Sequence, residues 1–117
     1  MQIYVKDSVE AVKFYQKAFD AELGYNVKND DGGYIHAELD IFGQILAIAE
    51  SNENATGNNM QFCLHFHENE KDIVSKIYEI LKTDAKHIDY PLGACFFSPH
   101  MASLIDKYGV NWCIFTD

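Results

Sequence analysis

Basic residues are scarce in this chain: nine Lys and Arg stand against eighteen Asp and Glu, for a net charge of -9. Such a balance repels phosphate backbones and anionic lipid surfaces unless a local basic patch intervenes, and the sequence has no such patch. Nucleic acid and membranes are therefore not expected partners. Long apolar runs are absent too. None approaches the ~20 residues of a membrane helix, and the start MQIYVKDSVE has neither the basic head nor the apolar stretch of a signal peptide. A cytoplasmic location is the expectation. Cysteine is limited to Cys63, Cys95 and Cys113, odd in number, widely spaced and without a C-x-x-C pair, which suits a reducing compartment better than a disulfide framework.

What is present is globular: 117 residues, 48% hydrophobic and 14% aromatic, enough for a core and short for two domains. Ile3, Tyr4 and Val5 predict an opening strand. From residue 7 to about 23 the spacing of Val9, Val12, Tyr15 and Phe19 predicts a helix, with Asp7 and Glu10 as a capping box and Gly24 as its stop. A short strand over residues 25–28, a turn at 29–33, a strand over 34–41 and an apolar strand over 45–49 complete the first half. In the strand over 34–41, Ile35, Ala37 and Leu39 alternate with Tyr34, His36 and Glu38.

The polar stretch SNENATGNN is the one credible linker, and Asn54-Ala55-Thr56 within it reads as loop sequence rather than a glycosylation site. The plan then repeats. Residues 61–67 alternate Phe62, Leu64 and Phe66, expected against a helix, with Gln61, Cys63, His65 and His67 on a polar face. Ile73, Val74, Ile77 and Leu81 predict a second amphipathic helix over residues 68–83. A weak strand at 88–90, a turn at Pro91-Leu92-Gly93, an apolar stretch over 94–105 broken by Pro99, and a closing strand over 110–116 follow. The turns Asp40-Ile41-Phe42-Gly43 and Asp106-Lys107-Tyr108-Gly109 occupy the same place in each half, the mark of an internal duplication.

Several stretches resemble one family. Val12-Lys13-Phe14-Tyr15-Gln16-Lys17-Ala18-Phe19 resembles the helix signature of the vicinal oxygen chelate superfamily, that of glyoxalase, bleomycin resistance protein and dioxygenase. Tyr90-Pro91-Leu92-Gly93, Phe96-Phe97 and the run from Leu104 through Asp106-Lys107-Tyr108-Gly109-Val110-Asn111-Trp112 resemble its PhnB-like branch. The resemblance covers nearly the whole chain. It implies an α+β fold in which two βαβββ modules form a cup-shaped eight-stranded mixed sheet with helices on the outer face, usually completed by homodimerisation. On this reading residues 1–117 are a single domain, with module one over about 1–51, a linker over 52–59 and module two over about 60–117.

The resemblance also implies four metal-ligand positions, which fall on Gln2, Ala47, Gln61 and Cys113. Two amides, a methyl and a thiol are a poor cage for a divalent cation, so no metal or other cofactor is expected. Gln2 and Gln61 then read as lining for a wet cup. His65 and His67 share the face of Gln61 and are the alternative imidazole donors. His36 and Glu38 offer a base and a carboxylate for proton transfer. Tyr4, Phe97 and Phe115 are candidate aromatic walls, with Gln61, Cys63, His65 and Cys113 completing the expected ligand-binding set. As simple packing, the three cysteines would be buried small hydrophobes. His100 is expected to shape a loop or rim, and His87 to lie on the surface. No glycine-rich loop is present to cradle a methyl donor, so the methyltransferase label borne by some relatives has no support in the residues. The leading expectation is a small-molecule binding protein; the alternative is an enzyme, metal-dependent or acid-base, acting on a small oxygen-rich or aromatic substrate.

Overall fold

The computed structural model describes residues 1–52 and 60–117, so the expected linker lies, from residue 53 onward, outside the described residues. Two compact units fall on either side of it. In the first, the order is β1 (Gln2–Val5), α1 (Ser8–Phe19), β2 (Leu23–Lys28), β3 (Tyr34–Ile41) and β4 (Gln44–Glu50). The second contains β5 (Phe62–Phe66), a single 3-10 turn (Glu68–Glu70), α2 (Lys71–Leu81), β6 (His87–Gly93), β7 (Met101–Ile105) and β8 (Asn111–Thr116). Both are βαβββ modules, and the α+β expectation holds. The strands form two four-stranded mixed sheets, ordered β1-β4-β3-β2 and β5-β8-β7-β6. In each, the first and last strands of the module pair in parallel and the other pairs are antiparallel.

Each helix packs on one face of its own sheet. In module one Ala11, Val12, Tyr15, Ala18 and Phe19 are buried, with Ala37, Leu39, Leu46 and Ile48 from the sheet. Tyr15, half of the Phe-Tyr signature, is fully buried and stacks on Phe19 at 6.0 Å. In module two Val74, Ile77 and Leu81 meet the face that carries Trp112, Ile114, Leu104 and Ala102. Phe62 lies edge-on to Trp112 at 5.5 Å, so the expected parity of β5 stands, with Phe66 buried and Cys63 and His65 exposed.

Local features differ from the sequence reading for physical reasons. Helix α1 stops at Phe19 because Asp20 takes the left-handed conformation (φ 51°), and Gly24 lies inside β2. Asp7 is the N-cap but its side chain makes no capping bond. The Glu50 carboxylate, from the end of β4, accepts instead from the Ser8 amide (3.2 Å) and hydroxyl (2.8 Å), while Ser8 Oγ accepts from the Tyr34 amide. One acceptor thus ties together the start of the helix, the start of β3 and the end of β4. A Cβ at Gly33 would run into the Glu50 carboxylate, which would have to shift from this arrangement.

Ile35, which simple alternation groups with Ala37 and Leu39, is 58% exposed. Lys28 pairs with Tyr34 and Val27 with His36, so Ile35 has no partner and the bulge reverses parity. The stretch expected to turn at Pro91 instead continues as β6 through Gly93; as an edge strand with a shifting register it tolerates a residue without an amide hydrogen. The second helix opens as a 3-10 turn and ends at Leu81.

Candidate functional site

Within each module the sheet face opposite the helix carries the polar residues. On module one the β1-β4 ladder sets Gln2 beside Ala47 and Tyr4 beside Ala49, and the β3-β4 ladder sets Glu38 on the other side of Ala47. Alternation puts His36 on that face with Glu38. Two methyl groups therefore form a floor between an amide and phenol on one side and an imidazole and carboxylate on the other. Gln2 Nε2 donates to the Tyr4 hydroxyl at 2.9 Å, and His36 Nε2 donates to Glu38 Oε2 at 2.8 Å. Tyr25 inclines over the His36 ring at 6.0 Å.

On module two the equivalent rows are Cys63-Cys113-Ser103 and His65-Phe115-Met101. His65 stacks on Phe115 with centroids 4.8 Å apart and planes 13° apart, and Phe97 meets Phe115 edge-on at 5.3 Å. His65 Nε2 donates to Asp117 Oδ1, and His67 Nδ1 lies 3.5 Å from Asp117 Oδ2. These two imidazoles hold the Asp117 carboxyl below the usual carboxylate range. Gln61 Nε2 donates to Ser103 Oγ and Asn111 Oδ1, both at 3.0 Å.

The structure thus brings Gln61, Cys63, His65, Cys113, Phe97 and Phe115 onto or beside one sheet face, while Tyr4, Gln2, Ala47, His36 and Glu38 share the open face of the other module. Cys63 departs from the expectation of a buried small hydrophobe: it is exposed, whereas Cys113 is buried and Cys95 is intermediate. Burial pushes the Cys113 thiol up to about 11, with the neighbouring Cys63 adding to the shift. A firmly protonated thiol is a weak nucleophile and a weak ligand for a hard or borderline cation. His100 shares a 2.8 Å hydrogen bond with Ser75 of α2, which pins the loop before β7, and exposed His87 pairs with Asp89. Asp117, Ser103 and Asn111 were not singled out in the sequence. Asn111 could have been found from the alternation of β8, but Ser103 and Asp117 needed the register and the strand ends.

The metal implied by the family resemblance meets a mismatched donor set. Ala47 presents a methyl group. Gln2 and Gln61 offer only neutral amide oxygens, and the Cys113 thiol holds its proton. The ladder also sets Cys63, not Gln61, beside Cys113 in the relation that Gln2 has to Ala47. Among the described residues no group of three or more His, Cys, Asp or Glu side chains could hold a metal ion. No helix among them is long and apolar enough to cross a membrane.

Two βαβββ modules, each with a helix on one face and polar and aromatic groups on the other, define the glyoxalase fold. The chain belongs to the Glyoxalase/Bleomycin resistance protein/Dioxygenase superfamily, whose family model matches residues 1–114. Among solved structures it is similar to a putative 3-demethylubiquinone-9 3-methyltransferase, a PhnB protein from Bacillus cereus. That match has 25% identity and a TM-score of 0.81, covering 100% of this chain and 97% of the other. TioX from Micromonospora sp. ML1 shares the fold at 18% identity and a TM-score of 0.71, covering 99% and 94%. So does the fosfomycin resistance protein FosX from Listeria monocytogenes, solved with Mn(II) and sulfate, at 16% identity and a TM-score of 0.70, covering 98% and 85%. No curated protein is significantly similar in sequence.

Proposed function

We propose that this protein binds a small, flat, partly apolar organic molecule, and does so without a divalent metal. The observation that carries the reading is the ring assembly of Phe97, Phe115 and His65, on the sheet face that also carries the Cys63, Cys113 and Ser103 row, which offers stacking surface with few directional polar groups. The donor set at Gln2, Ala47, Gln61 and Cys113 supports the metal-free part, because hard and borderline cations prefer carboxylate and imidazole. The FosX structure contains Mn(II), but at 16% identity only its fold carries over. A homodimer in the cytoplasm is the form proposed, in keeping with family habit, the acidic charge and the free thiols.

The test uses chelator-treated protein in two measurements. Saturation-transfer NMR against a panel of flat heteroaromatic compounds is expected to show binding that persists without metal and is lost in Phe97→Ala. Thermal melting with zinc, nickel, manganese and magnesium is expected to show no saturable rise, since any ion that binds the native state selectively must stabilise it. Saturable stabilisation by one ion, or ligand binding only in its presence, would overturn the reading.

A second reading, acid-base catalysis, rests on the 2.8 Å contact of half-buried His36 with Glu38. With Nε2 held by the carboxylate, Nδ1 is the nitrogen left to take a proton from a carbon acid. Deuterium wash-in next to the carbonyl of a simple 2-oxo acid, abolished by His36→Ala, is the result that would establish it; no exchange above the buffer rate would remove it.

A further inference from the structure

Far apart in sequence, Cys63 on β5 and Cys113 on β8 are direct partners in the parallel ladder. Adjacent strands run about 4.8 Å apart and paired residues point to the same face, so the two sulfurs leave the sheet side by side. Cys63 is exposed and Cys113 is buried. Cys95, in the loop before β7, is near enough to act electrostatically on Cys113. Zinc, which needs four ligands, is not served here, because no carboxylate or imidazole among the described residues completes a set of three. Two thiols side by side on one face do satisfy a soft centre that needs only two sulfur bonds.

We infer that Cys63 and Cys113 form a dithiol site for a soft, thiophilic centre of low coordination number, of which a monosubstituted trivalent arsenical is the simplest organic case. Exposed Cys63 makes the first bond, and Cys113 closes the ring from within the same face. With an arsine oxide, two arsenic-sulfur bonds form, the arsenic-oxygen bond breaks, and the oxygen leaves as water carrying both thiol protons. Arsenic remains trivalent and nothing is oxidised. The site depends on the strand register and not on the aromatic assembly, so it stands apart from the ligand reading above.

The experiment treats the reduced, intact chain with phenylarsine oxide, adds a large excess of 2-mercaptoethanol, and reads the intact mass. One bridged arsenical per chain is expected, resistant to the monothiol and removed by a dithiol such as dimercaptopropanol. Cys63→Ser, at an exposed position, is expected to lose the resistant adduct while keeping its melting temperature, and Cys95→Ser is expected to keep the adduct. Absence of a resistant adduct on the wild-type chain, its persistence in Cys63→Ser, or its loss in Cys95→Ser would each overturn the assignment.

Discussion

Asp106 serves three donors from one buried point. Its Oδ1 accepts from the amides of Tyr108 (2.8 Å) and Val110 (3.0 Å), and its Oδ2 accepts from Trp112 Nε1 at 2.8 Å. The Asp-Lys-aromatic-Gly-Val-x-Trp ending, the most specific part of the family resemblance, therefore encodes a hairpin lock rather than chemistry. Truncation as Asp106→Ala would take the acceptor from one buried donor, Trp112 Nε1, and from two half-buried amides, so a loss of about 2–3 kcal/mol is expected in urea unfolding. Glu50 is the corresponding anchor in module one. Hydrogen bonds from Ser8 hold its carboxyl below the usual carboxylate range. A depressed folded-state value means stability that is fully present above the ordinary carboxylate range and lost as pH falls through the folded-state value. Melting temperatures taken from about pH 7 to about pH 3 are expected to show Glu50→Gln below the wild type at the upper end, the gap closing toward the lower end.

Strand β3 shows how one unpaired residue redirects an element. Hydrophobic alternation places Ile35 with Ala37 and Leu39, yet the bulge turns it to solvent and puts Tyr34 in the core. Ile35→Ser is accordingly expected to change stability by no more than ~0.5 kcal/mol, whereas Leu39→Ala is expected to cost ~3 kcal/mol, both by denaturant unfolding. Equal losses would mean that the strand keeps regular alternation. Element type and order were legible in the sequence because the helices and inner strands carry strong periodicity. Boundaries were less so: Asp20, an ordinary-looking residue, ends α1 in a left-handed turn that glycine was expected to supply four positions later. Strand β6 was hidden because Pro91 signals a turn in any central strand and is tolerated only at the sheet edge, a position that emerges with the topology.

At the scale of the molecule, the net charge of -9 opposes self-association, while family habit and the exposed Phe96 and Phe97 favour it. Sedimentation equilibrium is expected to give twice the chain mass, with the dimer dissociating more readily at ~0.01 M salt than at ~0.15 M, as the screening length falls from about 30 to about 8 Å. A monomer at every salt concentration would remove the dimer from the functional reading.

Composition, periodicity and the Phe-Tyr and Asp-to-Trp signatures determined the class, the duplicated plan, and which residues are candidates for a site. Those properties are local, set by chain-neighbour chemistry and the two periods of helix and strand. Register belonged to the tertiary structure alone. It set Cys63 against Cys113, gave the Gln61 amide to Ser103 and Asn111, and brought Asp117 to His65. Each of these pairs joins residues on different strands or at their immediate ends, and the offset between strands is fixed by the packing of both faces at once rather than by any one segment.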